Sequence, residues 1–137
     1  MDNMDVANEE SADPETHVPI KTVLIIEDEP DIGDALTQLL KEETSYQVLS
    51  VGDGFAALKL VRTITPHLIV LDYHLPGMDG LECLEALRAT NGLEQTPVIF
   101  MSARLPEQVK EEPGMVKLDK PFEMENFLTQ VMRLLEG

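Results

Sequence analysis

Short apolar runs recur along the chain, and each one ends in a polar group able to do chemistry. Val23-Leu24-Ile25-Ile26 ends in Glu27-Asp28, and Leu68-Ile69-Val70-Leu71 ends in Asp72. Val98-Ile99-Phe100-Met101 ends in Ser102, and Met115-Val116-Lys117-Leu118 leads to Lys120-Pro121. Runs of this length without helical spacing predict buried strands, over 22–27, 68–72 and 97–101 and before Lys120. Tyr46 to Val51 predicts a further strand. Between the strands the apolar spacing changes to three and four. Ile32, Ala35, Leu36, Leu39 and Leu40 fall on one helical face, as do Ala57, Leu60, Val61 and Ile64. Leu81, Leu84 and Leu87 predict a third helix, and Met124, Phe127, Leu128, Val131 and Leu135 predict a last one beginning at Pro121-Phe122. Pro30 suits a first turn, Asp53 and Asp79 suit helix caps, and Pro66 and Asn91-Gly92 suit helix ends.

The order is βα repeated five times. Right-handed crossovers then give a parallel sheet covered by helices on both faces. Two open strand orders are common; the flavodoxin-like 2-1-3-4-5 fits five strands and brings the ends of the first and third together at the switch point, a choice that rests on the site residues and the resemblance described below rather than on periodicity. Asp28 and Asp72 become neighbours there. Pro106 and Pro113 bracket a segment whose interior holds Val109 as its one apolar residue. The fourth helix is therefore expected to be short or irregular.

The 137 residues suit one domain, 21–137, preceded by an acidic, aperiodic and disordered extension over 1–20. The net charge is −16; residues 1–20 hold six carboxylates and no Lys or Arg, leaving −10 on the remainder. Such a surface repels nucleic acid and acidic membranes. No apolar run reaches the ~18 residues of a membrane span, and no signal peptide is visible. The single cysteine, Cys83, excludes an internal disulfide and fits a cytoplasmic location.

Glu27, Asp28 and Asp72 at adjoining strand ends would repel one another unless a hard cation lay between them, and Mg²⁺ prefers such oxygen ligands. Asp72 is the candidate nucleophile for phosphoryl transfer. A lysine at position 120 can pair with Asp72 at rest and with a phosphoryl group afterwards, and Ser102 can donate a hydrogen bond to a phosphoryl oxygen.

These residues resemble the receiver domain of two-component response regulators. The resemblance rests on Ile26-Glu27-Asp28-Glu29, the run Leu71-Asp72-Tyr73-His74-Leu75-Pro76-Gly77-Met78-Asp79-Gly80, Met101-Ser102-Ala103-Arg104 and Asp119-Lys120-Pro121-Phe122, and it spans about residues 22–136. It implies that Asp72 accepts a phosphoryl group from phosphohistidine on a histidine kinase or histidine phosphotransfer protein. It implies Mg²⁺ held by Asp28, Asp72 and the backbone carbonyl of His74, with Glu27 acting through water, and Ser102 and Lys120 on the phosphoryl oxygens. Such a protein is no conventional enzyme; it catalyses only its own phosphorylation and dephosphorylation.

Lys117 stands where the family often has an aromatic switch residue, and the 18 positions from Ser102 to Lys120 are fewer than usual. His74 and Arg104 occupy flanking positions that tune phosphoryl lifetime in the family. Only Glu136-Gly137 follow the last helix, so the expectation is a stand-alone receiver, a monomer or weak dimer, that signals by protein contact. The alternatives are a phosphorelay intermediate, which hands the phosphoryl group to a second histidine, and a receiver-shaped interaction module that is never phosphorylated. An aspartyl phosphatase is disfavoured, because position 74 is histidine rather than a second acid.

Overall fold

The computed structural model describes residues 20–104, 109 and 112–136. Five parallel strands, β1 (Thr22–Ile26), β2 (Gln47–Val51), β3 (Leu68–Asp72), β4 (Val98–Ser102) and β5 (Met115–Asp119), form one sheet in the order β2-β1-β3-β4-β5. This is the predicted 2-1-3-4-5 arrangement. Four helices connect or follow them among the described residues: α1 (Pro30–Glu43), α2 (Gly54–Leu60), α3 (Gly80–Arg88) and α4 (Met124–Glu136).

Strand periodicity divides the core in two. Leu24, Ile26, Ile69, Leu71, Val98 and Phe100 face α2 and α3. Their alternating neighbours Val23, Ile25, Leu68, Val70, Ile99 and Met101 face α1 and α4. β1, β3 and β4 are buried at every position, as expected for strands covered on both sides. Phe127 of α4 and Phe100 of β4 are both fully buried, and such burial stabilises by about 1.5–3 kcal/mol per side chain.

Local chemistry starts the first three helices where the patterning expects. Pro30 occupies the first turn of α1, and the Asp53 carboxylate accepts from the Ala56 N–H at 2.7 Å to cap α2. Asp79 caps α3 reciprocally. Its side chain accepts from the Glu82 N–H at 2.9 Å, and the Glu82 carboxylate accepts from the Asp79 N–H at 3.1 Å. Asp79→Ala is expected to cost about 1 kcal/mol. A lowered urea midpoint with an unchanged slope of free energy against urea would show this.

Several boundaries differ from the sequence expectation. α2 ends at Leu60 rather than near Ile64, because Arg62 and Thr63 donate to carbonyls three residues back and tighten the chain into a turn. α4 begins at Met124, three residues after Pro121. β4 runs 98–102 rather than 97–101, and so takes Ser102 into the sheet. The expected short or irregular fourth helix falls mostly outside the described residues; 103–104, 109 and 112–114 are not helical. Val109 is buried in the α2/α3 core, and Arg88 grips Glu112 through two nitrogens at 2.6 and 2.9 Å. Apart from Ile20, the N-terminal extension also lies outside the described residues.

The far end of the molecule is clasped. Lys21 Nζ donates to the Leu135 carbonyl at 2.5 Å, completing the C-terminus of α4, and the Tyr46 hydroxyl donates to Glu136. No described helix is long and apolar enough to cross a membrane.

Candidate functional site

All five strands run in one direction, so the residues that terminate them gather along a single edge. β1 delivers Glu27, whose N–H donates to the Val51 carbonyl at 3.0 Å and extends the sheet by one residue. β3 delivers Asp72. Its neighbour Tyr73 donates to the Met101 carbonyl at 2.9 Å, which fixes the point where the chain leaves the sheet. β5 delivers Lys120, whose N–H donates to the Ser102 carbonyl at 2.9 Å.

Glu27, Asp28 and Asp72 each place a carboxylate oxygen within 4.8 Å of the others. Glu27 and Asp72 are buried and Asp28 is exposed, so the cluster opens to solvent through Asp28. A notch of about 280 Å³ is lined by Asp28, Glu29, Asp72, His74, Ala103 and Lys120. Lys120 enters it as the counter-charge. Its ammonium donates to Glu27 at 2.9 Å and lies 3.4 Å from Asp72. The pairing expected with Asp72 is present, but the closer partner is Glu27.

Burial pushes the Glu27 carboxyl upward, and the Asp72 charge adds to that. The hydrogen bonds from Lys120 and the Glu29 N–H oppose the shift without reversing it. For Lys120, burial alone would lower the pKa, but the hydrogen bond to Glu27 and the attraction of Asp72 outweigh it, and the ammonium is held above its usual range.

Asp72 accepts from the His74 N–H at 3.3 Å. His74 is exposed at the mouth, beside the ring of Tyr73. Ser102 is fully buried at the end of β4, and its hydroxyl accepts from the Arg104 N–H at 3.0 Å. Lys117 lies on the edge strand β5 in register with Phe100, half-buried. Asp79 is a helix cap, as the sequence expects.

Sequence reasoning missed two features of the site. One is the Glu27–Lys120 bond, which joins residues 93 apart in the chain. The other is Gly80, whose N–H donates to the Tyr73 carbonyl at 2.6 Å, so that α3 sits directly under the turn leaving Asp72. The Asp79-Gly80 pair was a visible signal for a tight approach, although it reads equally well as an ordinary helix start.

A doubly wound parallel sheet with an acidic cluster and a lysine at its carboxyl edge defines the receiver class. The family model described as "Response regulator receiver domain" matches residues 23–132. The DNA-binding response regulator MtrA of Mycolicibacterium smegmatis is 35% identical over 82 residues, which are 60% of this chain and 34% of that protein. Hybrid signal transduction histidine kinase D of Dictyostelium discoideum is 30% identical over 117 residues, 82% of this chain and 7% of that protein. Among solved structures, the chemotaxis protein CheY4 of Vibrio cholerae superposes with a TM-score of 0.78 at 26% identity, covering 85% of this chain and all of that one. The chain belongs to the response regulator receiver family, and it spans about a third or less of the length of these two curated relatives.

Proposed function

We propose that this receiver accepts a phosphoryl group on Asp72 from a phosphohistidine of a histidine kinase or histidine phosphotransfer protein. The observation that carries the reading is a buried carboxylate, Asp72, set beside two further acids and the Lys120 ammonium in an open notch. An Asp72 carboxylate oxygen attacks phosphorus as the P–N bond to the donor imidazole breaks; the acyl phosphate forms and the histidine is released. Lys120 sits 3.4 Å from Asp72, close enough to follow the negative charge onto the phosphoryl oxygens. The Ser102 hydroxyl, now held by the Arg104 N–H, is the second donor to them.

The donor set fits magnesium: three carboxylates with converging oxygens and a solvent opening for the waters this ion retains. Asp28, Asp72 and the His74 carbonyl would hold it. Glu27, expected to act through water, has an oxygen within 4.8 Å of those of the other two acids. When bound, the ion supplies neutralisation of charge on the transferring oxygens. Magnesium is expected to raise the melting temperature of the wild type, and Asp28→Ala to abolish most of that rise. Protons compete for the same carboxylates, with Glu27 held protonated to a higher pH than usual, so the rise should be larger at pH 8 than at pH 5. An equal rise in wild type and Asp28→Ala would remove the metal from the account.

Output is proposed to leave by protein contact, without autonomous enzymatic turnover. Beside the notch lies a groove of about 450 Å³ between α1 and the β5–α4 turn, with Ile32, Leu36, Phe122 and Met124 among its lining residues and Ala103 and Lys120 shared with the notch. Lys117 in place of an aromatic residue leaves the usual ring rotation without its ring, which favours this face for contact. Mixing the phosphorylated protein with histidine phosphotransfer proteins separates the two outputs. Retained label supports contact signalling, and rapid loss of label to the partner supports a relay.

A further inference from the structure

On a chain of net charge −16, residues 54–71 are the longest stretch without a carboxylate, and they carry Lys59 and Arg62. Lys59 lies in the last turn of α2 and Arg62 two residues beyond its end, and both are exposed. Neither makes an ion pair or side-chain hydrogen bond among the described residues. Four of the other described cations are held by a partner. Arg88 is held by Glu112, Lys120 by Glu27, Lys21 by the Leu135 carbonyl and Arg133 by Gln130. Lys41 adjoins Glu42 and Glu43 in sequence, Lys117 is half-buried near Asp119, and Arg104 adjoins the acidic notch.

Lys59 and Arg62 border a groove of about 450 Å³ with Val51, Ala56, Leu60 and Thr63, along the seam between α2 and the edge strand β2. The residues leading into the domain have the opposite character. Residues 1–19 contain Asp2, Asp5, Glu9, Glu10, Asp13 and Glu15, with Met1, Met4 and Val6 as apolar partners and no Lys or Arg. They join the domain beside the same edge, because the Lys21 carbonyl accepts from the N–H of Gln47, the first residue of β2.

From this complementarity of charge, position and apolar content we infer that the N-terminal acidic segment docks in the α2–β2 groove, its carboxylates on Lys59 and Arg62. Nineteen residues reach up to roughly 60 Å when extended, against roughly 17 Å for the length of β2. Tethering supplies an effective concentration in the millimolar range, so individually weak surface pairs suffice within one chain.

The test uses the full chain with a nitroxide on Ala7→Cys. Cys83 stays unlabelled, because it is buried and its thiol is pushed up to about 11, by burial first and then by the Asp53 charge. The expected result is loss of most amide signal intensity over residues 56–63 while α4 keeps its own. The intensity should return in 0.5 M salt, about a 4 Å screening length. It should return likewise in Lys59→Glu/Arg62→Glu, and in the milder Lys59→Gln/Arg62→Gln should the first variant lose its dispersed spectrum. Intensity loss centred on another surface, or none, overturns the inference. So does loss at α2 that persists in both variants, and so does loss that appears only between spin-labelled and isotope-labelled copies mixed together, which would assign the groove to a second molecule.

Discussion

Asp72→Asn should gain no mass when incubated with acetyl phosphate and magnesium, whereas the wild type gains about 80 Da per chain. The asparagine is nearly isosteric, so it keeps the fold but lacks the anionic oxygen that attacks phosphorus. The site's other acids do not substitute. Glu27 is committed to the Lys120 ammonium and the Glu29 N–H. Asp28 is exposed, with no cation paired to it among the described residues. Asp79 spends its carboxylate on capping α3. Loss of the adduct should therefore be complete. An adduct of wild-type size on the variant would move the acceptor elsewhere, and a wild type that gains none would end the phosphoacceptor reading.

Gly80→Ala should destabilise the protein by about 3 kcal/mol, the upper end of the usual overpacking cost. A Cβ on Gly80 would lie 2.5 Å from the Tyr73 Cα, 2.6 Å from the Asp72 carbonyl oxygen and 2.8 Å from the Phe100 ring. Two of these neighbours are backbone of the chain leaving β3, which the Tyr73–Met101 hydrogen bond fixes in place. The third is one of the two fully buried phenylalanines of the core. Relief must come from moving α3 away or from displacing the turn that carries Asp72. The variant should show a lower urea midpoint and also slower labelling by acetyl phosphate under conditions where it remains folded. A midpoint within error of wild type would mean that α3 slides at little cost and that the close approach is incidental.

The sheet was legible in the sequence because burial on both faces leaves an unmistakable mark. β1, β3 and β4 read as continuous apolar runs, and each is buried at every position. β2 was legible through its turn residues more than its own pattern, which alternates only weakly. Helix ends were less so. Val61 is buried and continues the apolar stripe of α2, yet the backbone has already tightened into a turn, since packing on the sheet sets that end rather than periodicity. Strand ends gave the membership of the acidic cluster directly. The ranking of partners for Lys120 was not legible, because Glu27 and Asp72 both lie within reach and the choice depends on tenths of an ångström in the tertiary fold. The use of Val109 was likewise hidden. A lone apolar residue between prolines reads as a poor helix face, whereas the fold inserts it singly into the core.

The clasp of Lys21 on Leu135 brings the entry of β1 and the exit of α4 together at the pole remote from the acidic notch. A tag, surface tether or fused module attached at either place would project away from the phosphoryl entrance. Held at the Lys21–Leu135 pole, the domain would present Asp72 outward to a partner in solution.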